Sequence, residues 1–161
     1  MNLKFLIAAS QDFPIGFLNS TSFLYQNRCT CQHCQQQTAA EENLCCQAIP
    51  AVAEKLDEAE DEPISCITDH PGFIAVCTNV WSLETAWHQY KQQYDNPYEG
   101  PRHKKLRHVA YRQFVQWIWH YLGRHVRVIL PSCAVSCIRA HFPPPGDEDE
   151  HVFQGFRLPD I

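Results

Sequence analysis

A chain of 161 residues, 45% of them hydrophobic, has room for one compact domain with a core, and not comfortably for two. Its formal net charge of −5 argues against a general nucleic-acid binder, and no apolar run reaches the ~20 residues that a membrane-spanning helix needs. Acid concentrates in "EKLDEAEDE" (54–62) and "DEDE" (147–150), and base in "RHKKLRHVAYR" (102–112), so a local anion site can exist on an acidic protein.

The N-terminal "MNLKFLIAAS" carries an apolar run shorter than the ~7–15 residues of a signal-peptide core. Residues 1–28 are therefore expected to form a poorly ordered leader, with the domain proper over 29–161. Thr38-Ala39-Ala40-Glu41 fits a capping box, which predicts a short helix running to about Ile49 with Cys45 and Cys46 near its end. Residues 51–63 are acidic without a clear apolar face and read as a solvated loop or frayed helix. Val80, Leu83, Trp87 and Tyr90 recur at helical spacing, and "YDNPYEGP" then breaks that helix.

The strongest helical pattern spans 102–122, with Leu106, Val109, Ala110, Val115, Ile118, Tyr121 and Leu122 on one side and Gly123 as its cap. "VRVIL" (126–130) is short and β-branched, which predicts a brief strand or extended segment. A last helix is expected from Ser132 to about His141, stopped by "PPPG". The fold class expected is α+β: a mainly helical, loop-rich single domain.

Nine cysteines without a secretory signal point to metal ligands in preference to a disulfide framework. Cys31-Gln32-His33-Cys34 is a CxxC knuckle, a spacing that lets two thiolates face one ion. Thiol redox sites share that spacing but call for a βαβ context, which is missing here. His33 inside the knuckle is expected to face solvent. The doubled Cys45-Cys46 suits two ions better than one, because adjacent side chains diverge. Two ions sharing a bridging thiolate need seven ligands, and Cys29, Cys31, Cys34, Cys45, Cys46, Cys66 and Cys133 supply seven. Cys77 and Cys137 read as buried, inert thiols.

On the basic helix, Arg107, His108 and Tyr111 occupy i, i+1 and i+4 near its start, where backbone amides and the dipole favour an anion. Arg offers a fork of donors to phosphate, and His and Tyr add one each. A solvated basic face is the plainer reading of the same residues.

"LRHVAYRQF", "ILPSC", "FP" at 142–143 and "FQGFR", together with C-x-C-x-x-C, CC, "CIT" (66–68) and the Cys of "PSC", resemble in order the intracellular C-terminal (ballast) domain of the P2X purinoceptor 7 family. The resemblance covers roughly residues 29–157. It implies a mainly helical cytoplasmic domain organised around a dinuclear zinc centre, whose ligands fall on Cys29, Cys31, Cys34, Cys45, Cys46, Cys66 and Cys133. It also implies a separate guanine nucleotide site for GDP or GTP. The matching phosphate-side residues are Arg107, His108 and Tyr111, the base-edge backbone falls at Val128 and Leu130, and the terminal glycine is Gly155. The family carries basic residues where this chain has Val135 and Pro144, with Arg139 one turn beyond Val135.

The expected function is thus a non-enzymatic zinc-binding module, acting in regulation or protein interaction and not a channel by itself. No Walker loop, HExxH or deaminase signature supports a hydrolase. A nucleic-acid-binding zinc module is the other alternative, resting on "RHKKLRH" with Trp117 and Trp119 nearby, although those tryptophans read more simply as core.

Overall fold

The computed structural model describes residues 29–59, 63–94, 99–122, 126–146 and 153. Its elements are helical: α1 (Pro50–Asp57), α2 (Pro71–Phe73) continuing as a π-helix (Ile74–Thr78), α3 (Val80–Gln93), α4 (Arg102–Trp119) and α5 (Ser132–His141). Short 3-10 turns lie at Ala40–Glu42, Cys46–Ala48 and Ile67–Asp69. No strand occurs among the described residues, so the α+β expectation is corrected to a mainly helical fold. In residues 126–130 only Val126 makes a β-bridge and the rest joins no regular element, so the segment is extended backbone without a continuous ladder.

α4 is the central element, packing on α1, α3, α5 and the π-helix. Its buried face is Leu106, Arg107, Val109, Ala110, Phe114 and Ile118. Tyr121, expected on that face, lies beyond the helix and is 76% exposed. The helix ends at Trp119, three residues earlier than the periodicity suggests, where His120 turns to φ 57°. The expected cap, Gly123, lies outside the described residues. Phe114 anchors the aromatic core, with Phe73 at 5.9 Å, Trp117 at 6.1 Å and Trp119 at 6.2 Å between ring centroids, all near edge-to-face.

Asn79 caps α3 by accepting from the Trp81 and Ser82 amides at 3.0 and 3.2 Å. At the start of α2, His70 Nδ1 accepts from the Gly72 amide at 2.9 Å. Gly72 is required by space: a Cβ there would stand 2.6 Å from Trp117 Cζ2.

Two local expectations fail. The capping box at Thr38–Glu41 starts no continuous helix; Ala39 is the N-terminal flank of a three-residue 3-10 turn without a side-chain cap. Residues 51–57, expected as loop or frayed helix, form α1. Pro50 starts it, and Val52 and Leu56, four apart, are buried.

Candidate metal centre

Seven cysteine sulfurs fall into two overlapping groups: Cys29, Cys31, Cys34 and Cys45 in one, and Cys31, Cys46, Cys66 and Cys133 in the other. Within each group all ligand atoms lie within 4.8 Å of one another, and Cys31 belongs to both. In the first group, Cys31 Sγ is 3.7 Å from both Cys29 Sγ and Cys34 Sγ. Four sulfurs around a tetrahedral zinc at the usual bond length stand about 3.8 Å apart, so the spacing fits that ion.

The local fold explains the convergence. Gln32 takes φ 64°, which closes the Cys31–Cys34 knuckle. His33 points outward, its Nδ1 2.7 Å from the Cys31 carbonyl, and this contact raises its pKa. Cys45 is extended (φ −76°, ψ 146°) and Cys46 opens a 3-10 turn, so the neighbours diverge into different groups. The divergence comes from the extended step at Cys45 and not from a helix through both cysteines. Cys66 precedes the Ile67–Asp69 turn, and Cys133 lies in the first turn of α5.

The two groups differ in burial. Cys31, Cys46, Cys66 and Cys133 are all buried, at 1% exposure or less, whereas Cys29 and Cys34 are half-exposed. Such crowded sulfurs cannot all carry charge without a cation. Donated thiol hydrogen bonds from Cys133, with smaller contributions from Cys29 and Cys31, hold Cys34 down at about 5 against its burial. The Cys133 and Cys46 thiols likewise pull Cys66 well below the thiol range. Cys133 is pushed up because it donates to Cys34, Cys46 and Cys66. Cys46 rises to about 12: its donation to Cys66, its burial and the nearby Cys66 charge outweigh the bond from Cys133. Burial raises Cys31. Burial also opposes ionisation of Cys45, yet amides of Cys31, Gln47 and Thr30 and the Thr30 hydroxyl outweigh it and bring the thiol down. A divalent thiophilic ion in each group would replace the shared protons, which is the chemistry this donor set suits.

Sequence reasoning missed the clamp that shapes the loop between Cys34 and Cys45. Asn43, buried, accepts from the Gln37 amide at 2.7 Å and donates to the Gln37 and Ala39 carbonyls at 3.2 and 2.9 Å. Gln37, also buried, donates to Ser132 and Ser136 of α5 at 3.3 and 3.0 Å, and Arg139 donates to Gln37 Oε1 at 2.7 Å. The Ser132 hydroxyl donates to the Gln35 carbonyl, and its amide to Leu44 O at 2.8 Å. The loop is thereby tied to the helix that carries Cys133. Neither position gives a periodic signal: the Asn43 partners lie four and six residues back in an irregular loop, and the α5 partners of Gln37 are about 100 residues away in sequence.

Cys77 and Cys137 lie outside both groups, and all nine cysteines are free. Cys77 is fully buried in the π-helix and burial raises its pKa. Cys137 is half-buried, 3.6 Å from His141 Nδ1.

The expected nucleotide residues divide. Arg107 sits in the second turn of α4, not at its open end; it is buried and donates to the Phe142 carbonyl. Its guanidinium lies 5.2 Å from the Phe153 ring centroid, and that of Arg139 lies 4.5 Å from it. Tyr111 lies near both: burial raises its pKa, and the Arg139 and Arg107 charges act against that rise. His108 faces α3 instead, edge-on to Tyr90 at 5.3 Å. Burial, and then the Arg112 charge, lower His108 to about 4, so it is neutral near pH 7. Val128 and Leu130 are half-buried, with Leu130 against the core, and Gly155 lies outside the described residues.

Trp117 is half-buried, with its ring against Gly72 and Phe114, and Trp119 is half-buried against Phe114. Both serve the core and neither forms a base-stacking platform. No helix of the described residues is long and apolar enough to cross a membrane.

The fold and site define a class: a helical module whose least regular half is organised by two sulfur tetrads with one shared member. The model of the P2X purinoreceptor 7 intracellular domain family matches residues 18–157, and the chain belongs to that family. The match reaches into the stretch 1–28. A search of curated proteins finds no match.

Proposed function

We propose that this chain is a non-enzymatic, zinc-organised binding module. The observation that carries the reading is the pair of sulfur tetrads sharing Cys31, the arrangement two zinc ions with one bridging thiolate require. Cys29, Cys34 and Cys45 would complete one site, and Cys46, Cys66 and Cys133 the other. When bound, the ions would cross-link chain segments that share little secondary structure. Thiolate-filled sites leave no open position for a reactive water, which separates this reading from a zinc hydrolase. Free thiolates of this density suit a reducing compartment, in keeping with a cytoplasmic domain.

Metal analysis of the reduced protein tests the proposal. Close to two zinc ions per chain are expected, with loss of the folded state when a strong chelator removes both. Folded, reduced protein with no bound zinc would overturn it.

A guanine nucleotide is the ligand we propose for the surface around Arg107 and Tyr111. Its support is the convergence of Arg107, Tyr111 and Arg139 at one place, with Arg139 standing near the position where Val135 replaces a basic residue. Calorimetric titration with GDP is the check. Binding that weakens on Tyr111→Phe or Arg139→Gln, with zinc content unchanged, is expected; no heat from the parent chain would remove the nucleotide from the proposal. Release of GDP or phosphate from added GTP would instead favour a hydrolase, and a salt-dependent shift of single-stranded RNA a nucleic-acid module.

A further inference from the structure

The two tetrads differ in where their ligands come from as well as in burial. The private ligands of the first, Cys29, Cys34 and Cys45, all lie on one loop segment, and Cys29 and Cys34 reach solvent. Those of the second come from three separate places: the Cys46–Ala48 turn, the approach to the Ile67–Asp69 turn, and α5. All three are buried, beside elements that pack on α4. Opening the first tetrad disturbs one loop, whereas opening the second detaches elements from the core.

Resting on the dinuclear reading above, we propose that the outer tetrad (Cys29, Cys31, Cys34, Cys45) is an exchange site for a soft divalent cation, while the inner tetrad (Cys31, Cys46, Cys66, Cys133) is a fixed structural site. Three features make the exchange reversible. Cys31 remains with the inner ion when the outer one leaves, so the inner ion keeps four sulfur ligands. The loop between Cys34 and Cys45 is held without metal by the Gln37–Asn43–Ser132 clamp, so the emptied site keeps its shape. The half-exposed Cys29 and Cys34 give a competing thiolate or chelator a path to the outer ion, and no such path reaches the inner sulfurs. A site of this kind accepts zinc or cadmium from, and yields it to, small thiol or aminocarboxylate chelators.

The experiment uses the full, reduced, zinc-loaded chain and a colorimetric pyridylazo chelator. Half of the zinc is expected in a fast phase, with tryptophan fluorescence and far-ultraviolet circular dichroism unchanged. The second half is expected at least about tenfold more slowly, together with the loss of structure, because it needs sub-global opening. N-ethylmaleimide added after the fast phase should mark Cys29 and Cys34, the two outer sulfurs that reach solvent, beside the metal-free Cys137, and spare Cys46, Cys66 and Cys133. One equivalent of cadmium should refill the site, read by its sulfur-to-metal absorbance. As a second arm, Cys29→Ser is expected to hold one tight zinc and keep the parent's circular dichroism.

Release of both ions in one phase with unfolding would overturn the inference and leave the dinuclear centre standing. Early maleimide adducts on Cys46, Cys66 or Cys133, or unfolding of Cys29→Ser, would do the same. An absence of zinc in the starting protein would instead remove the dinuclear reading, and this inference with it.

Discussion

Around Cys31 the chain has little regular structure: three 3-10 turns, a knuckle closed by a left-handed residue, and sulfurs brought together from positions 29 to 133. Around Phe114 it is regular, with α3, α4 and the π-helix stacked on aromatic rings. Apolar burial orders the second region, because one helix face can be periodic and large. The first region has few large apolar side chains and buries sulfurs in their place; on the proposed reading, two zinc ions would hold those sulfurs together. The contrast shows how a small domain can add a loop-rich half without enlarging its hydrophobic core.

The largest expected effect tests the dependence of the irregular half on its sulfurs. Cys133→Ser should abolish the inner site and with it cooperative folding, read as loss of both zinc and the thermal transition; a structural zinc contributes apparent free energies of order 10 kcal/mol. A variant that melts like the parent with two zinc bound would erase the distinction between the regions.

Phe114→Ala breaks the other side of the comparison. It should cost about 3–5 kcal/mol in denaturant unfolding by leaving a cavity among Phe73, Trp117 and Trp119, while zinc content stays at the parent's level. Loss of zinc from the folded variant would show that the two regions are not separable.

Acid should act on the helical half through His108. Its native pKa of about 4 lies below the ordinary 6.5, so the native state binds fewer protons than the unfolded chain between those values. The destabilisation is absent above pH 6.5 and fully developed below about pH 4, where it reaches at most about 3 kcal/mol. His108→Leu should flatten the stability–pH curve in that window, with zinc content followed in parallel because thiolates also take up protons. Equal slopes in parent and variant would contradict the neutral, buried imidazole.

The smallest effect concerns the clamp. Gln37→Ala leaves the Arg139 and Ser136 groups without their partner and should cost about 1–2 kcal/mol, with faster release of the outer ion. Unchanged release kinetics would mean that the loop is shaped by the sulfurs alone.

The helices α3, α4 and α5 were legible because each carries an apolar period or sits between prolines; α5 falls at Ser132–His141 as expected, after Pro131 and before "PPPG". The seven-cysteine set was legible by counting and by resemblance. The capping box was misleading because Asn43 and Gln37 take up the backbone groups of that loop, and because Cys45 and Cys46 must diverge into separate tetrads. α1 escaped notice because two apolar residues four apart are a faint signal within an acidic run. His108 was grouped with Arg107 by adjacency, yet adjacent helical residues point about 100° apart and the two meet different neighbours.

By itself the sequence determined which cysteines are candidates to meet at one place, where the strongly periodic helices lie and which family the chain resembles, because those depend on residue type, period and order. Only the tertiary structure decided that Cys31 is the shared sulfur, that one tetrad is sealed and the other half-open, and that Arg107 is spent partly on a backbone carbonyl. Those are matters of distance and burial between segments up to a hundred residues apart, which no local pattern encodes.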